Sequence, residues 1–466
     1  MMPTFVPNPD CSDQLGSAGS TVRSLSPGRY GKWPRNAVLY SSTIDRVVII
    51  DDYSTARGGA TALAVLSAKL FRGLDIAVTY ICGDDGANTE LAALGVSIVP
   101  LNSRDLVNAE RAKAFVSGIH NVLAVRMIAT WIRANDTPNT TYHVHGWSKI
   151  LSPAIFKALV SVARRCVVHA HDFFTACPNG AFFDYQAQEI CLRRPLGVSC
   201  IATACDKRNY SHKLWRVARG SNLVRLLRNQ ADFGKIVLLH EKMASFFLRA
   251  GYPAERLTTI RNPIAPLSTE RVEAEANDEF VFIGRLDEEK GVEDAVAATR
   301  RAGAKLCVIG DGPLMERVAM SGDHVRTVGW QSQAEMGKTI RQASALLMPS
   351  RYPEPFGLVA IEAAGSGVPV IMSRGAFLAE EMESAGIALS CDTTNERAFA
   401  DTLTTFRKMP KHDVRRMSER AFQLSPNFAS THEEWRDALL AQYHSLISTN
   451  VMPGPSDAVM KQGALS

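Results

Sequence analysis

The sequence predicts an α/β protein made of two doubly wound domains in tandem. Two observations predict it. Short β-branched runs alternate with helical periodicity along most of the chain. The alternation breaks once, near the middle, at a Pro-containing stretch. The length of 466 residues agrees, since one core rarely organises a chain that long.

Strand candidates in the first half are 46–50, 76–81, 96–100, 142–145, 166–170 and 236–239. Gly58-Gly59 follows the first of them and opens an apolar helix near 60–71. The stretch 261–276, with Asn262-Pro263 and Ala265-Pro266, reads as a linker. Beyond it come 280–283, 305–309, 325–328, 345–348, 368–372 and 387–389. A last helix begins near Ser430, where Ser430 and Glu433 have capping-box spacing; Trp435, Leu439 and Tyr443 share one face. The expected division is an extension at 1–44, Rossmann-like domains at 45–262 and 279–428, a linker at 263–278, a closing helix at 429–449 and a tail at 450–466.

Composition narrows the class. An apolar fraction of 46% and a charged fraction of 21% fit a soluble globular protein. A net charge of +5 suits anionic ligands, but no long basic block points to nucleic acid. Residues 1–44 are rich in Pro, Ser and Gly and hold no apolar run fit for a signal peptide or membrane span. The expectation is a disordered extension and a cytoplasmic body, where thiols stay reduced.

The segment from Pro349 to Glu362 carries the most chemistry. It follows an apolar strand, and Pro355 suits a first helical position. Phe356, Gly357 and Leu358 would then offer free N–H groups at the positive end of a helix, an anion site. Glu354 lies beside that end, and Glu362 about 9 Å further along the axis at about 1.5 Å per residue. Two such carboxylates can hold two diols of one ligand. The plainer reading is an acidic helix start and a solvated helix residue. Against it, Glu362 interrupts an otherwise apolar stretch, where a carboxylate needs a partner.

A second element is Gly284-Arg285-Leu286, with Lys290-Gly291 just after. It leaves the carboxyl end of a strand, where open α/β sheets bind ligands. Arg grips phosphate with two bonds and Lys as a point charge. A solvated helix start is the alternative, and for Lys290 alone the better one.

With these motifs stand Gly310-Asp311-Gly312-Pro313-Leu314 and Val328-Gly329-Trp330. Together with the pair Glu354…Glu362 they resemble glycosyltransferase family 4, retaining enzymes of the two-domain GT-B fold, of the type found in bacterial polysaccharide biosynthesis. The resemblance spans about 45–445 and is strongest over 280–375. It implies transfer of a hexose from a nucleotide-diphosphate sugar, UDP- or GDP-linked, to a saccharide acceptor, lipid-linked in many bacterial members. It implies Arg285 and Lys290 on the diphosphate, Glu354 on sugar hydroxyls, backbone N–H groups of Phe356–Leu358, and Glu362 on the ribose. Gly58 and Gly59 would face the donor phosphate across the cleft; alone, the pair reads as a plain turn. It also implies a closing helix that returns to the first domain, and chemistry with no required cofactor. With Arg285 and Lys290 stabilising the leaving phosphate, Glu354 and His171 complete the candidate catalytic set.

The first half is less readable. Two strand ends carry His143 with His145, and His169 with His171, each pair on one face. A four-His metal site competes with a hydrogen-bonded group, the commoner case. By the resemblance, carried over for His171 alone, His171 lies at the reacting sugar; His145, on the neighbouring strand end, is a further candidate lining residue on the acceptor side.

Cys177, Cys191, Cys200 and Cys205 fall within 29 residues, while five other cysteines are scattered. The spacing lacks C-x2-C knuckles. A structural zinc or iron–sulfur site, buried free thiols and, in an exported chain, two disulfides all stay open. The stretch 213–228, with Trp215 and five basic residues, invites a membrane-surface helix, though its charges spread around the axis. Peripheral contact with the inner face of the cytoplasmic membrane is the matching expectation. Competing functions are a sugar-nucleotide epimerase or phosphorylase on the same frame, and a binding-only relative. An NAD enzyme lacks its G-x-G-x-x-G.

Overall fold

A computed structural model describes residues 44–56, 58–106, 111–229 and 233–448. The expected extension, apart from residue 44, and the expected tail lie outside the described residues.

Strands β1 (Arg46–Asp51), β2 (Ala77–Cys82), β3 (Ser97–Pro100), β4 (Thr140–Val144) and β5 (Cys166–Ala170) come first. A small hairpin, β6 (Phe183–Asp184) with β7 (Glu189–Ile190), precedes β8 (Lys235–Leu238) and β9 (Leu257–Thr259). Seven of these form a parallel sheet of order β3-β2-β1-β4-β5-β8-β9. Further on, β10 (Glu279–Ile283), β11 (Lys305–Ile309), β12 (Val325–Gly329), β13 (Ala343–Met348), β14 (Val370–Ser373) and β15 (Ala388–Cys391) form a second parallel sheet, β12-β11-β10-β13-β14-β15. In each sheet the first strand is central and the order reverses beside it, so the crevice at the carboxyl ends opens there.

The central strands are buried along nearly their whole length, which is why they read as unbroken apolar runs. The hairpin and β9 escape sequence reading because each is only two or three residues long.

The segment between the sheets is packed. Val272 donates its N–H to the Ser366 carbonyl at 2.8 Å, and Leu267, Val272 and Ala274 are buried. The helix Gly59–Arg72 follows β1. The helix His432–Ser448 lies against it, with Trp435, Leu439 and Tyr443 buried among Val47, Ile49 and Phe71 of the first sheet's layer. Its cap is one residue later than the sequence spacing suggests. Glu434 N–H reaches Thr431 Oγ1 at 3.1 Å and Thr431 N–H reaches Glu434 Oε2 at 3.0 Å. Ser430 instead donates its hydroxyl to the Arg261 carbonyl at 2.9 Å.

Candidate active site

The second sheet delivers a charged pair to its carboxyl edge. After β13 the chain turns through Ser350, Tyr352 and Glu354; the turn after β10 ends at Lys290. Lys290 Nζ donates to Glu354 Oε2 at 2.6 Å and to the Tyr352 hydroxyl at 2.9 Å. Ser350 Oγ donates to the same carboxylate oxygen at 2.8 Å. Gly291 makes this approach feasible: at φ 69° it closes the turn, and a Cβ there would lie 2.1 Å from the Pro349 carbonyl oxygen.

Burial opposes both charges, yet they persist. It works to raise Glu354, but the Lys290 ammonium and the Lys290 and Ser350 hydrogen bonds hold the carboxyl below its usual value. It works to lower Lys290, but the Glu354 and Tyr352 oxygens hold the ammonium above its usual value. The expected motif residues therefore meet, with one difference. Lys290 grips Glu354 directly, so cation and carboxylate form one unit.

The helix after this turn starts later than Pro355 suggests. It runs Leu358–Gly365, and Gly357 caps it in the left-handed conformation at φ 66°. The left-handed residue breaks the helical path, so Glu354 lies off the helix and the axial arithmetic to Glu362 does not apply. The first turn closes with Ala360 N–H on the Gly357 carbonyl at 2.9 Å, leaving the preceding N–H groups for another acceptor. Glu362 is half-buried and has no cation in its surroundings to offset desolvation; burial alone pushes it up to about 7.

Arg285 is the outward member. Its side chain is 67% exposed and pairs with buried Asp287 at 2.6 Å. Across the cleft, a Cβ on Gly59 would lie 3.1 Å from Leu358 Cδ1. Gly58 and Gly59, both exposed, thus border the start of the Leu358–Gly365 helix.

At the first sheet's edge the four histidines form a stacked file. His143 Nδ1 meets the Tyr443 hydroxyl at 2.6 Å, and His143 Nε2 meets His169 Nδ1 at 3.3 Å. His145 Nδ1 meets His171 Nε2 at 3.0 Å, and the His169 and His171 rings stack 4.3 Å apart. Ring nitrogens of His143, His145 and His169 lie within 4.8 Å of one another, but stacked, mutually bonded rings match a hydrogen-bonded group better than a ligand set. Burial holds the first three well below the ordinary histidine value and His171 down to about 3.

Three features lay beyond sequence reading. Asp51, at the end of β1, is pushed up to about 8, by burial first and Asp52 second. Asp52 accepts the N–H groups of Lys149, Ile150 and Leu151 at 2.7, 2.8 and 2.9 Å and so holds the loop after β4. An acid pair ending an apolar strand was the available signal. Arg351 clasps Asp294 at 2.6 and 2.7 Å. Glu381 joins His240 at 2.8 Å and Arg261 at 2.9 Å; burial works to raise it, but these partners take it down to about 2. No local pattern announces pairs so distant in the chain.

Cys177, Cys191, Cys200 and Cys205 are buried and none forms a disulfide. In the 213–228 stretch Lys213 and Arg219 are buried, so that helix packs inward.

Residues 267–424 match the family model for glycosyl transferases group 1. The chain is similar to a glycogen synthase of Mycobacterium tuberculosis, 27% identical over 371 residues, covering 73% of this chain and 85% of that protein. A GDP-mannose-dependent alpha-(1-6)-phosphatidylinositol dimannoside mannosyltransferase of the same species is 30% identical over 153 residues, 31% of this chain and 39% of the relative. Among solved structures, a sucrose-phosphate synthase from Thermosynechococcus elongatus matches with TM-score 0.66 at 16% identity, over 87% of this chain and all (100%) of that one. Anabaena HepE in complex with UDP-glucose matches with TM-score 0.59 at 16% identity, over 86% and 99%. The chain thus has the GT-B fold of glycosyltransferases and carries a glycosyl transferases group 1 domain over residues 267–424.

Proposed function

We propose that the chain is a retaining glycosyltransferase, similar to family 4, that moves a hexose from a UDP- or GDP-sugar to a saccharide acceptor in glycan biosynthesis. The carrying observation is the Lys290–Glu354 pair, with Glu354 buried and Lys290 half-buried, beside the start of the Leu358–Gly365 helix. In this reading 45–262 forms the acceptor side and 279–428 the donor side. Arg285, Lys290 and the N–H groups of Phe356–Leu358 take the diphosphate. Glu354 holds hydroxyls of the sugar and Glu362 the ribose diol. His171, neutral across the ordinary pH range, lines the reacting sugar and His145 stands behind it.

The reacting step follows from that placement. The acceptor oxygen bonds the anomeric carbon on the face from which the sugar–phosphate bond breaks. The acceptor proton passes to the leaving phosphate oxygen, and the cations stabilise its charge. The UDP-glucose named for HepE and the GDP-mannose named for the mannosyltransferase support a nucleotide-sugar donor. The phosphatidylinositol acceptor of the latter supports a lipid-linked saccharide. Among the described residues no helix is long and apolar enough to cross a membrane, so contact with a lipid-linked acceptor would be peripheral.

Thermal-shift titration with UDP, GDP and their sugars tests the donor class; no nucleotide raising the melting temperature overturns it. NMR of the product tests the stereochemistry; an inverted anomeric centre overturns retention.

A further inference from the structure

Large apolar side chains stand exposed on neighbouring helices of the first half, Arg111–Ile119, Val122–Asn135, Val198–Ala202 and Tyr210–Leu223. We infer that these helices together form a docking surface for a bilayer of anionic lipids.

Contacts along the helices join the exposed side chains into one surface. The helix Arg111–Ile119 lies against the helix Tyr210–Leu223: Trp215 Nε1 donates to the Phe115 carbonyl at 2.9 Å, and Asn222 Nδ2 to the Ile119 carbonyl at 3.1 Å. Phe115 and Val116 stay exposed beside that seam, and the helix that follows opens on exposed Val122 and Leu123. On the other side the Tyr210 hydroxyl donates to the Ile201 carbonyl at 3.0 Å and ties in the helix Val198–Ala202. Tyr210 and Leu214, one turn apart and both exposed, bridge the two ends. Val198 is 87% exposed and Leu123 64%. One exposed apolar residue means little, but a run of them across packed helices marks an interaction surface.

Charge selects the partner. Residues 111–135 and 190–229 hold thirteen Lys and Arg and one acidic residue, Asp206, which is buried and pairs with Arg216 at 2.8 Å. Exposed Arg126 shares the helix face of Val122 and Leu123. Arg194, Arg208 and Arg225, also exposed, stand in the chain beside the other apolar positions. Lys213 and Arg219 are buried, so Tyr210 and Leu214 are what their helix leaves outside. Apolar side chains that enter the acyl boundary, with cations that meet the phosphate headgroups, suit an anionic bilayer. A second copy suits the face poorly, because a symmetric interface would set these cations against their own counterparts.

The surface adjoins the carboxyl edge of the first sheet. In the loop that Asp52 holds after β4, Arg219 donates to the Ser148 carbonyl and the Leu106 N–H to the Lys149 carbonyl at 3.0 Å. Docking here would bring that edge to the bilayer, where a lipid-linked saccharide is presented. This consequence rests on the proposed acceptor; the docking surface itself does not.

Cosedimentation of the full chain with vesicles tests the surface. Vesicles of phosphatidylglycerol and phosphatidylcholine in equal parts should bind at least about tenfold more tightly than phosphatidylcholine alone, and added salt should weaken that binding. The double variants F115S/L123S and V198S/L214S should each lower it about tenfold. M320S, which alters an exposed side chain of the second half, should leave it unchanged. No binding to either kind of vesicle, equal binding to both, or full binding by both double variants overturns the inference. So does a dimer in solution that F115S/L123S dissolves, which would give the face to a second copy. Should a double variant misfold, amide hydrogen exchange of the wild type decides. Anionic vesicles should slow it within 115–126 and 198–214 and leave 280–375 unchanged; protection confined to other segments overturns the surface. UDP titration without vesicles runs in parallel, so that a chain binding anionic vesicles but no nucleotide sinks the donor reading alone.

Discussion

The carboxyl edges of the two sheets treat buried polarity in opposite ways. At the second sheet charge is kept: Lys290 and Glu354 stay ionised because each has the other at 2.6 Å. At the first sheet charge is given up: four histidines stay neutral and Asp51 is pushed up to about 8. Both edges are desolvated. What differs is a close opposite charge, and without one burial decides the protonation state. The Lys290–Glu354 pair therefore keeps its charges as pH changes, whereas Asp51 at the first edge, pushed up to about 8, changes charge near neutral pH.

The largest expected effect comes from breaking the charged pair. E354Q keeps the shape of Glu354 and removes its charge. Transfer should fall about 100- to 1000-fold, the scale of losing one preorganised electrostatic contact. The melting temperature should fall too, by less than a fully buried broken pair would cause, because the Lys290 side chain is 30% exposed. A steady-state rate within about tenfold of wild type would place Glu354 outside the reaction.

Glu362 sharpens the contrast, since it lies on the charged edge without a cation. Burial pushes it up to about 7, so lowering pH from 8 to 6 should protonate it and weaken nucleotide binding. E362Q should bind about tenfold more weakly at pH 8, the scale of a hydrogen bond to a charged group, and lose that pH dependence. Calorimetric titration with UDP reads both.

His169 tests the neutral edge. Its folded pKa is depressed, so on unfolding below about pH 6.5 it gains a proton. Its contribution to stability is present above that pH and is lost as pH falls below it. H169F should therefore cost less stability at pH 5.5 than at pH 7.5, the difference growing by up to about 1.4 kcal/mol per pH unit. Urea denaturation at the two pH values checks it; an equal cost would mean His169 is already charged in the fold.

The smallest effect lies away from both edges. T431A removes the cap of the last helix and should cost about 1 kcal/mol, with nucleotide affinity unchanged. Weakened UDP binding would tie the closing helix to the donor site.

Much of the fold and of the motif around Glu354 was legible because it is local. Strand β5 and strand β11 match the sequence reading at both ends, since buried strands write themselves as largely apolar runs, β5 buried throughout and β11 after Lys305. Lys290, Glu354 and Glu362 stood out as charges next to apolar segments. The start of the Leu358–Gly365 helix did not, because Pro355 signals a helix while Gly357 at φ 66° delays it. Asp294 with Arg351 and Glu381 with Arg261 were invisible: each looks like an ordinary surface charge until the fold brings its partner from 57 or 120 residues away.

By itself the sequence determined where charge stands beside a strand end, and hence the class of ligand that edge would attract. Periodicity and turn chemistry act within a few residues, so they survive in a linear reading. Only the tertiary structure decided which of those charges remain charged. Desolvation and a Coulomb partner depend on three-dimensional neighbours. That is why Lys290 and Glu354 became one ion pair, Glu362 a carboxyl pushed up to about 7, and four histidines a neutral stack.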